Sequence, residues 1–309
     1  MKVANPIYDT VFKYLLEDTE IARRLLSEII GEEITKIELR PQEHTYKTEK
    51  HDITILRFDF KATIQLKAQL TKGSKKKNWT PKYKTVLIEL QKAKKPKDIE
   101  RFRRYLGDNY KKKDTITDAT GEVQAVDLPI VTIYFLGHSL PPISTSVLKI
   151  NRVYIDLNTN ETLAVKTEFI EKLTHDCYAI LINKLSKESR STLEQILQIF
   201  NQTYILDSDK KFLEINEQLL KSNDLLQLMS GRLREAATDE QVIEGILIEQ
   251  EVEEVIDQHI REKEALKEEN EGLKGENEDL KEGVKERDEK LKDQERLIEE
   301  LKKRLKNQK

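Results

Sequence analysis

Apolar positions along the chain change their spacing several times, and each change marks an element. Val11, Phe12, Leu15 and Leu16, then Ile21, Leu25, Leu26, Ile29 and Ile30, recur every three to four positions. That spacing predicts helix over the first 30 residues, with Gly31 as a stop. Residues 34–40 (ITKIELR) and 51–66 (HDITILRFDFKATIQL) alternate or run apolar, as strands do. A basic stretch, LTKGSKKKNWTPKYK, leads into the strand KTVLIELQ. After Pro96, DIERFRRYLGDNYKKK reads as an amphipathic helix, and LPIVTIYFLG, between Pro129 and Gly137, as a buried strand. RVYIDLN predicts one more strand, and stretches near 165–187, 190–201 and 210–230 predict packing helices.

The tail has a different period. Leu266, Leu273 and Leu280 are spaced by seven, as are Val284, Leu291, Ile298 and Leu305. Both series fit one heptad frame, the first at d and the second at a, and Asn270 and Asn277 then fall at a. Asparagine at a favours two parallel strands in register, since each side chain can bond its counterpart across the seam. The pattern predicts a homodimeric coiled coil; a solvated single helix is the plainer alternative. Gly272, Gly275 and Gly283 each cost about 1 kcal/mol relative to alanine and predict local fraying.

Composition narrows the class. The 309 residues are 37% hydrophobic and 36% charged, so part of the chain is expected to be extended and solvated. No apolar run approaches the roughly 20 residues needed to cross a bilayer, and MKVANPIYDT lacks the apolar core of a secretion signal. The single cysteine, Cys177, excludes an internal disulfide framework and a cysteine-rich zinc site, and reads as a small helix residue. A soluble cytoplasmic protein with no membrane partner is the expectation.

Charge is unevenly spread. Residues 249–309 hold 21 acidic and 15 basic residues, leaving the first 248 at about +3 out of the overall −3. Residues 67–113 carry 17 Lys and Arg against four acids, a footprint suited to a polyanion. In that stretch Trp79 and Tyr83 stand among Lys75, Lys76, Lys77, Lys82 and Lys84, a composition that can stack bases and hold phosphates. The basic character continues through Lys92, Lys94, Lys95, Arg101 and Arg104. DNA is the expected partner; a solvated lysine-rich loop is the plainer alternative.

The strand VLIELQ holds a puzzle, a carboxylate and an amide inside an apolar run. Alternation puts Val86, Ile88 and Leu90 on one face and Leu87, Glu89 and Gln91 on the other. Arg57, Asp59 and Lys61 likewise share one face of LRFDFKA. If the two strands pair antiparallel, Asp59 and Glu89 become neighbours. Two close carboxylates repel, and a hard divalent cation held by oxygen ligands relieves that repulsion. The competing arrangement is structural, with Asp59 paired to Arg57 or a lysine and Glu89 to a nearby base. His44, His51, His138, His175 and His259 show no ligand spacing, and no Walker loop or dinucleotide fingerprint occurs.

The order of these motifs resembles the PD-(D/E)XK nuclease superfamily, and within it the PD-(D/E)XK nuclease family transposases related to recombination-promoting nucleases. The likeness runs over roughly residues 5–140. It rests on Asp9, Phe12 and Lys13 in the opening helix, Arg57 and Asp59 on one strand, and Glu89 and Gln91 on the next. Arg101 to Tyr105 on the following helix and the strand LPIVTIYFL complete it. The resemblance implies an α/β, restriction-endonuclease-like core, a mixed sheet flanked by helices, over 1–155. A helical region over 156–248 and a coiled coil over 249–309 follow. It also implies a Mg²⁺- or Mn²⁺-dependent DNA endonuclease acting in transposition, recombination or defence. Asp59 and Glu89 would bind the ion with the Leu90 carbonyl, and Glu28 or Asp9 would supply the helix carboxylate. Gln91 stands where the superfamily has a catalytic lysine; an amide can hold the attacking water but brings no charge. That departure leaves open a catalytically inactive nuclease-fold module that binds DNA or assembles through its coiled coil.

Overall fold

A computed structural model describes residues 1–48, 51–67, 82–92, 98–117, 121–189, 191–206 and 210–306, with the backbone alone for 41–48, 51–59, 98 and 304–306. The elements in chain order are β1 (Lys2–Ala4), α1 (Asp9–Glu17), α2 (Thr19–Ile30), β2 (Ile34–Thr48), β3 (His51–Leu66), β4 (Tyr83–Gln91) and α3 (Asp98–Lys111). They continue with β5 (Asp114–Thr117), β6 (Val123–Val126), β7 (Ile130–Leu136), β8 (Val147–Ile150), β9 (Tyr154–Asp156) and β10 (Glu161–Leu163). The last are α4 (Glu168–Leu173), β11 (His175–Leu181), α5 (Thr192–Leu197), β12 (Phe212–Glu214), α6 (Glu217–Leu220), α7 (Asp224–Ala236) and α8 (Glu240–Lys306). Two compact units result, Met1–Glu249 and Gln250–Lys309. Among the described residues no helix is long and apolar enough to cross a membrane.

The opening helical pattern is broken once. Asp18 ends α1 in an extended conformation and its carboxylate then accepts the N–H groups of Glu20 and Ile21, capping α2. Gly31 stops α2 at φ 74°, a left-handed turn that costs glycine nothing. The chain then enters a six-stranded mixed sheet of order β2-β3-β4-β7-β11-β8. β3 runs antiparallel to both its neighbours, β2 and β4, β7 and β11 continue parallel to β4, and β8 closes the edge antiparallel to β11.

The two faces of this sheet are unequal. Phe60, Ala62, Ile64, Val86, Ile88, Val131, Ile133, Phe135, Tyr178 and Ile180 lie in one large core with the apolar stripes of α1, α2 and α7. Phe12 meets Phe135 edge-on at 5.2 Å, and the Tyr178 hydroxyl donates to the Ile30 carbonyl at 3.0 Å. The other face has a small apolar cluster, Leu87, Tyr105 and Ile130, with Leu106 against it, and α3 supplies two of the four. On that second face polar groups dominate.

Two expectations change. The stretch 165–187 is expected to be helical, yet only α4 and a 3-10 turn at Ile182–Lys184 are; residues 175–181 form β11, parallel to β7 in the register Tyr178↔Ile133. Tyr178 and Ile180 fill the main core, and that tertiary demand for period two overrides the local helical spacing. The sheet therefore runs past residue 155, and a division there does not separate sheet from helices. The stretch near 210–230 opens with β12, which pairs with β1, before α6 and α7 begin. In the tail, α8 runs through Gly272, Gly275 and Gly283 without a break.

Candidate functional site

The polar face is assembled from strands whose alternation is already in the sequence. Val86 and Ile88 enter the main core, so Leu87 and Glu89 must face α3. Parallel register sets Glu89 beside Tyr134 and Leu87 beside Thr132. Antiparallel register sets Phe60 opposite Ile88 and Lys61 opposite Leu87. The paired register ends at Phe60↔Ile88, one residue short of Asp59 and Glu89. The Asp59 and Arg57 side chains lie outside the described ones.

Helix α3 lies over this face through residues one turn apart. Arg101 donates from Nη2 to the Glu89 carboxylate. Glu89 is 3% exposed, so this ion pair is screened from water. Phe102 stacks at a tilt on Tyr134, with ring centroids 4.3 Å apart, and Tyr105 packs on Leu87 and Ile130. Near the far end of the helix the Tyr110 hydroxyl lies 3.0 Å from Nδ1 of His175.

A second buried pair supports the same face. Lys61 Nζ lies 2.5 Å from Asp114, and the Thr85 hydroxyl donates to the other Asp114 oxygen at 2.5 Å. This pair ties β3 and β4 to the start of the β5–β6 hairpin. Burial shifts the neutral groups nearby. Desolvation, and to a smaller degree the Glu89 charge, drives the Tyr134 phenol well above its ordinary pKa, so it stays protonated. Burial raises the Cys177 thiol and, with Arg152, lowers the His175 imidazole. Cys177 is accordingly a packing thiol and not a thiolate nucleophile.

At the end of β4 the chain is fastened by Glu249. Its carboxylate accepts from the backbone N–H of Asp9 and Thr10, from the Thr10 hydroxyl, and from Lys92 Nζ at 3.1 Å. A carboxylate at the N-terminus of α1 also meets the positive end of the helix dipole. Lys92 lies 3.9 Å above the Tyr8 ring. Gly137 donates to the Gln91 carbonyl at 2.8 Å, and a Cβ on Gly137 would fall 2.2 Å from the Lys92 carbonyl oxygen. Only a residue without Cβ allows that approach. Gly137→Ala is expected to cost about 1–3 kcal/mol through the backbone shift it forces, read as a lower urea midpoint.

The remaining expected residues divide clearly. Glu28 is exposed on α2, whose buried side packs on the face of β4 opposite Glu89, so the fold does not bring it to the site. Asp9 is joined to the end of β4 through Glu249. Lys84, expected to reach phosphate, is 7% exposed and pairs with Glu32 at 2.7 Å. Lys92 and Arg101 are likewise committed to Glu249 and Glu89. Lys82 and Arg104 are exposed. Lys75, Lys76, Lys77, Trp79, Lys94 and Lys95 lie outside the described residues.

Among the described residues no group of three or more His, Cys, Asp or Glu side chains is gathered as a metal cage. Glu89, the Leu90 carbonyl and the Gln91 amide are nonetheless hard-oxygen donors of the type magnesium takes. A cation there would compete with Arg101 for Glu89. Sequence reasoning missed Tyr134, the Lys61–Asp114–Thr85 group and the clamp at Glu249. The first was within reach, because alternation along IVTIYFL puts Thr132 and Tyr134 on one face. Comparison with protein-family models, with curated proteins and with solved structures finds no match to this chain.

Proposed function

We propose that the chain is a nuclease-type phosphodiesterase acting on DNA, with its site on the polar face of β4. One observation carries this reading. The succession α2, β2, β3, β4, α3 and, after the β5–β6 hairpin, β7, with β4 antiparallel to β3 and parallel to β7, centres on a buried carboxylate at Glu89. That agrees with the restriction-endonuclease-like core which the sequence resembles. In this reading Asp59, Glu89 and the Leu90 carbonyl would hold a divalent cation, Mg²⁺ or Mn²⁺, which would supply Lewis acidity toward water and phosphate. Gln91 would hold the water through its amide. Arg101, once released from Glu89, offers a guanidinium to a phosphate oxygen and supplies the positive charge that Gln91 lacks. The exposed Lys82 and Arg104 contribute to DNA binding, and the tail joins two copies so that two sites act together.

The test is cleavage of plasmid and linear DNA with Mg²⁺, Mn²⁺ or EDTA. The wild type is expected to cut with metal and not with EDTA, and Asp59→Ala and Glu89→Ala to lose at least 100-fold, on the order expected when charge stabilisation is removed. Intact DNA under every condition, or full activity in both variants, refutes the assignment.

One observation favours a second reading. The Arg101–Glu89 pair already neutralises the carboxylate without a cation. A nuclease fold retired from catalysis, serving as a DNA-binding or coiled-coil assembly module, would keep such a pair. Under that reading the wild type binds DNA without cutting it.

A further inference from the structure

The tail unit is a helix with an uncovered seam. Leu266, Leu273, Leu280, Val284, Leu291 and Ile298 are each more than half exposed on α8. A stripe of this regularity on an otherwise charged helix is a contact surface, and the charges flanking it state what fits. With Asn270 at a, the g positions are Glu262, Glu269, Glu276, Gly283 and Lys290, and the e positions are Lys267, Lys274, Lys281, Asp288 and Glu295.

In a parallel pair each g residue faces the e residue five positions later on the other helix. For two copies of this chain in register those contacts are Glu262 with Lys267, Glu269 with Lys274, Glu276 with Lys281, and Lys290 with Glu295. All four attract, although the sign pattern inverts between Gly283 and Lys290. We propose that α8 binds α8 of a second copy of this chain, parallel and with zero offset, and that this inverted charge pattern fixes the register. A slip of one heptad would set Asn277 against Val284, Glu276 against Asp288 and Lys290 against Lys302. A fully overlapped antiparallel pair would keep Lys274 with Glu295 and Lys281 with Asp288 but set Lys267 against Lys302, and it would part each asparagine from its counterpart, so the asparagines are what favour the parallel pair. Arg287 and Gln294 occupy d positions, and the long Arg287 stem lets its charge reach water at the seam's edge.

This rests on the proposal that the tail joins two copies, and it stands apart from the chemistry at Glu89. The full chain with Cys177→Ala and Asn270→Cys is oxidised and run without reductant, beside light scattering of the wild type. A dimer mass and a covalent dimer are expected. Glu269→Lys with Glu276→Lys is expected to weaken the dimer roughly 10-fold or more, since attraction becomes repulsion on both sides of the seam. Adding Lys274→Glu and Lys281→Glu should restore it. A monomer mass overturns the proposal, as does a dimer that fails to cross-link at 270 or ignores the charge reversal. DNA cleavage by a monomeric wild type would sink this inference and leave the nuclease reading intact; a dimer without cleavage would do the reverse.

Discussion

Arg101→Ala is expected to lower the unfolding free energy by about 3–5 kcal/mol, because it takes the guanidinium away from a buried carboxylate. Glu89 is 3% exposed and forms an ion pair with Arg101. Urea unfolding measures the loss directly. Changing both partners, Arg101→Met with Glu89→Leu, is expected to recover most of it, since apolar side chains of similar size need no counter-charge. A single Arg101→Ala variant within about 1 kcal/mol of wild type would mean that Glu89 is not a buried charge in need of this partner. The double variant would also lack any DNA cleavage, which separates the stabilising role of the pair from the chemical role of Glu89.

Lys61→Met is expected to cost a similar amount, about 3–5 kcal/mol, by leaving Asp114 charged in the interior with the Thr85 hydroxyl alone among the bonds described for it. Thr85→Val removes one hydrogen bond and leaves the ion pair, so a smaller loss of about 1–2 kcal/mol is expected. The ratio of the two losses is the useful quantity. Equal losses would show that the site depends on Thr85 packing and not on the Lys61–Asp114 charge pair. Both variants are read in the same urea titration, with unchanged slope as the sign that the unfolded state is the same.

What the sequence revealed and concealed follows from distance along the chain. The two faces of VLIELQ were legible because alternation is a local property and one face must serve a core. The succession of elements along the chain around it was legible because turns, lengths and β-branched runs are local too. Charge was misleading at particular residues. The excess of Lys and Arg over 67–113 suggested a surface for polyanions, yet Lys84 finds Glu32 52 residues away and Lys92 finds Glu249 157 residues away. A count of charges cannot see such pairing. Arg101 reaches Glu89 over only 12 residues, but the contact depends on α3 folding back across β4, and no spacing rule encodes that. The strand at 175–181 was hidden for a related reason. β11 takes its conformation from β7 beside it, and its own residues would serve a helix equally well.

The unequal faces of the sheet have a consequence for motion. One face is held by a core shared among α1, α2 and α7, while α3 rests on Tyr105, Leu87 and Ile130 together with polar contacts. Less apolar area must return to water for α3 to lift than for the helices of the main core, but the lift also breaks the buried Arg101–Glu89 pair. Access to Glu89 is therefore controlled by an ion pair more than by a hydrophobic core.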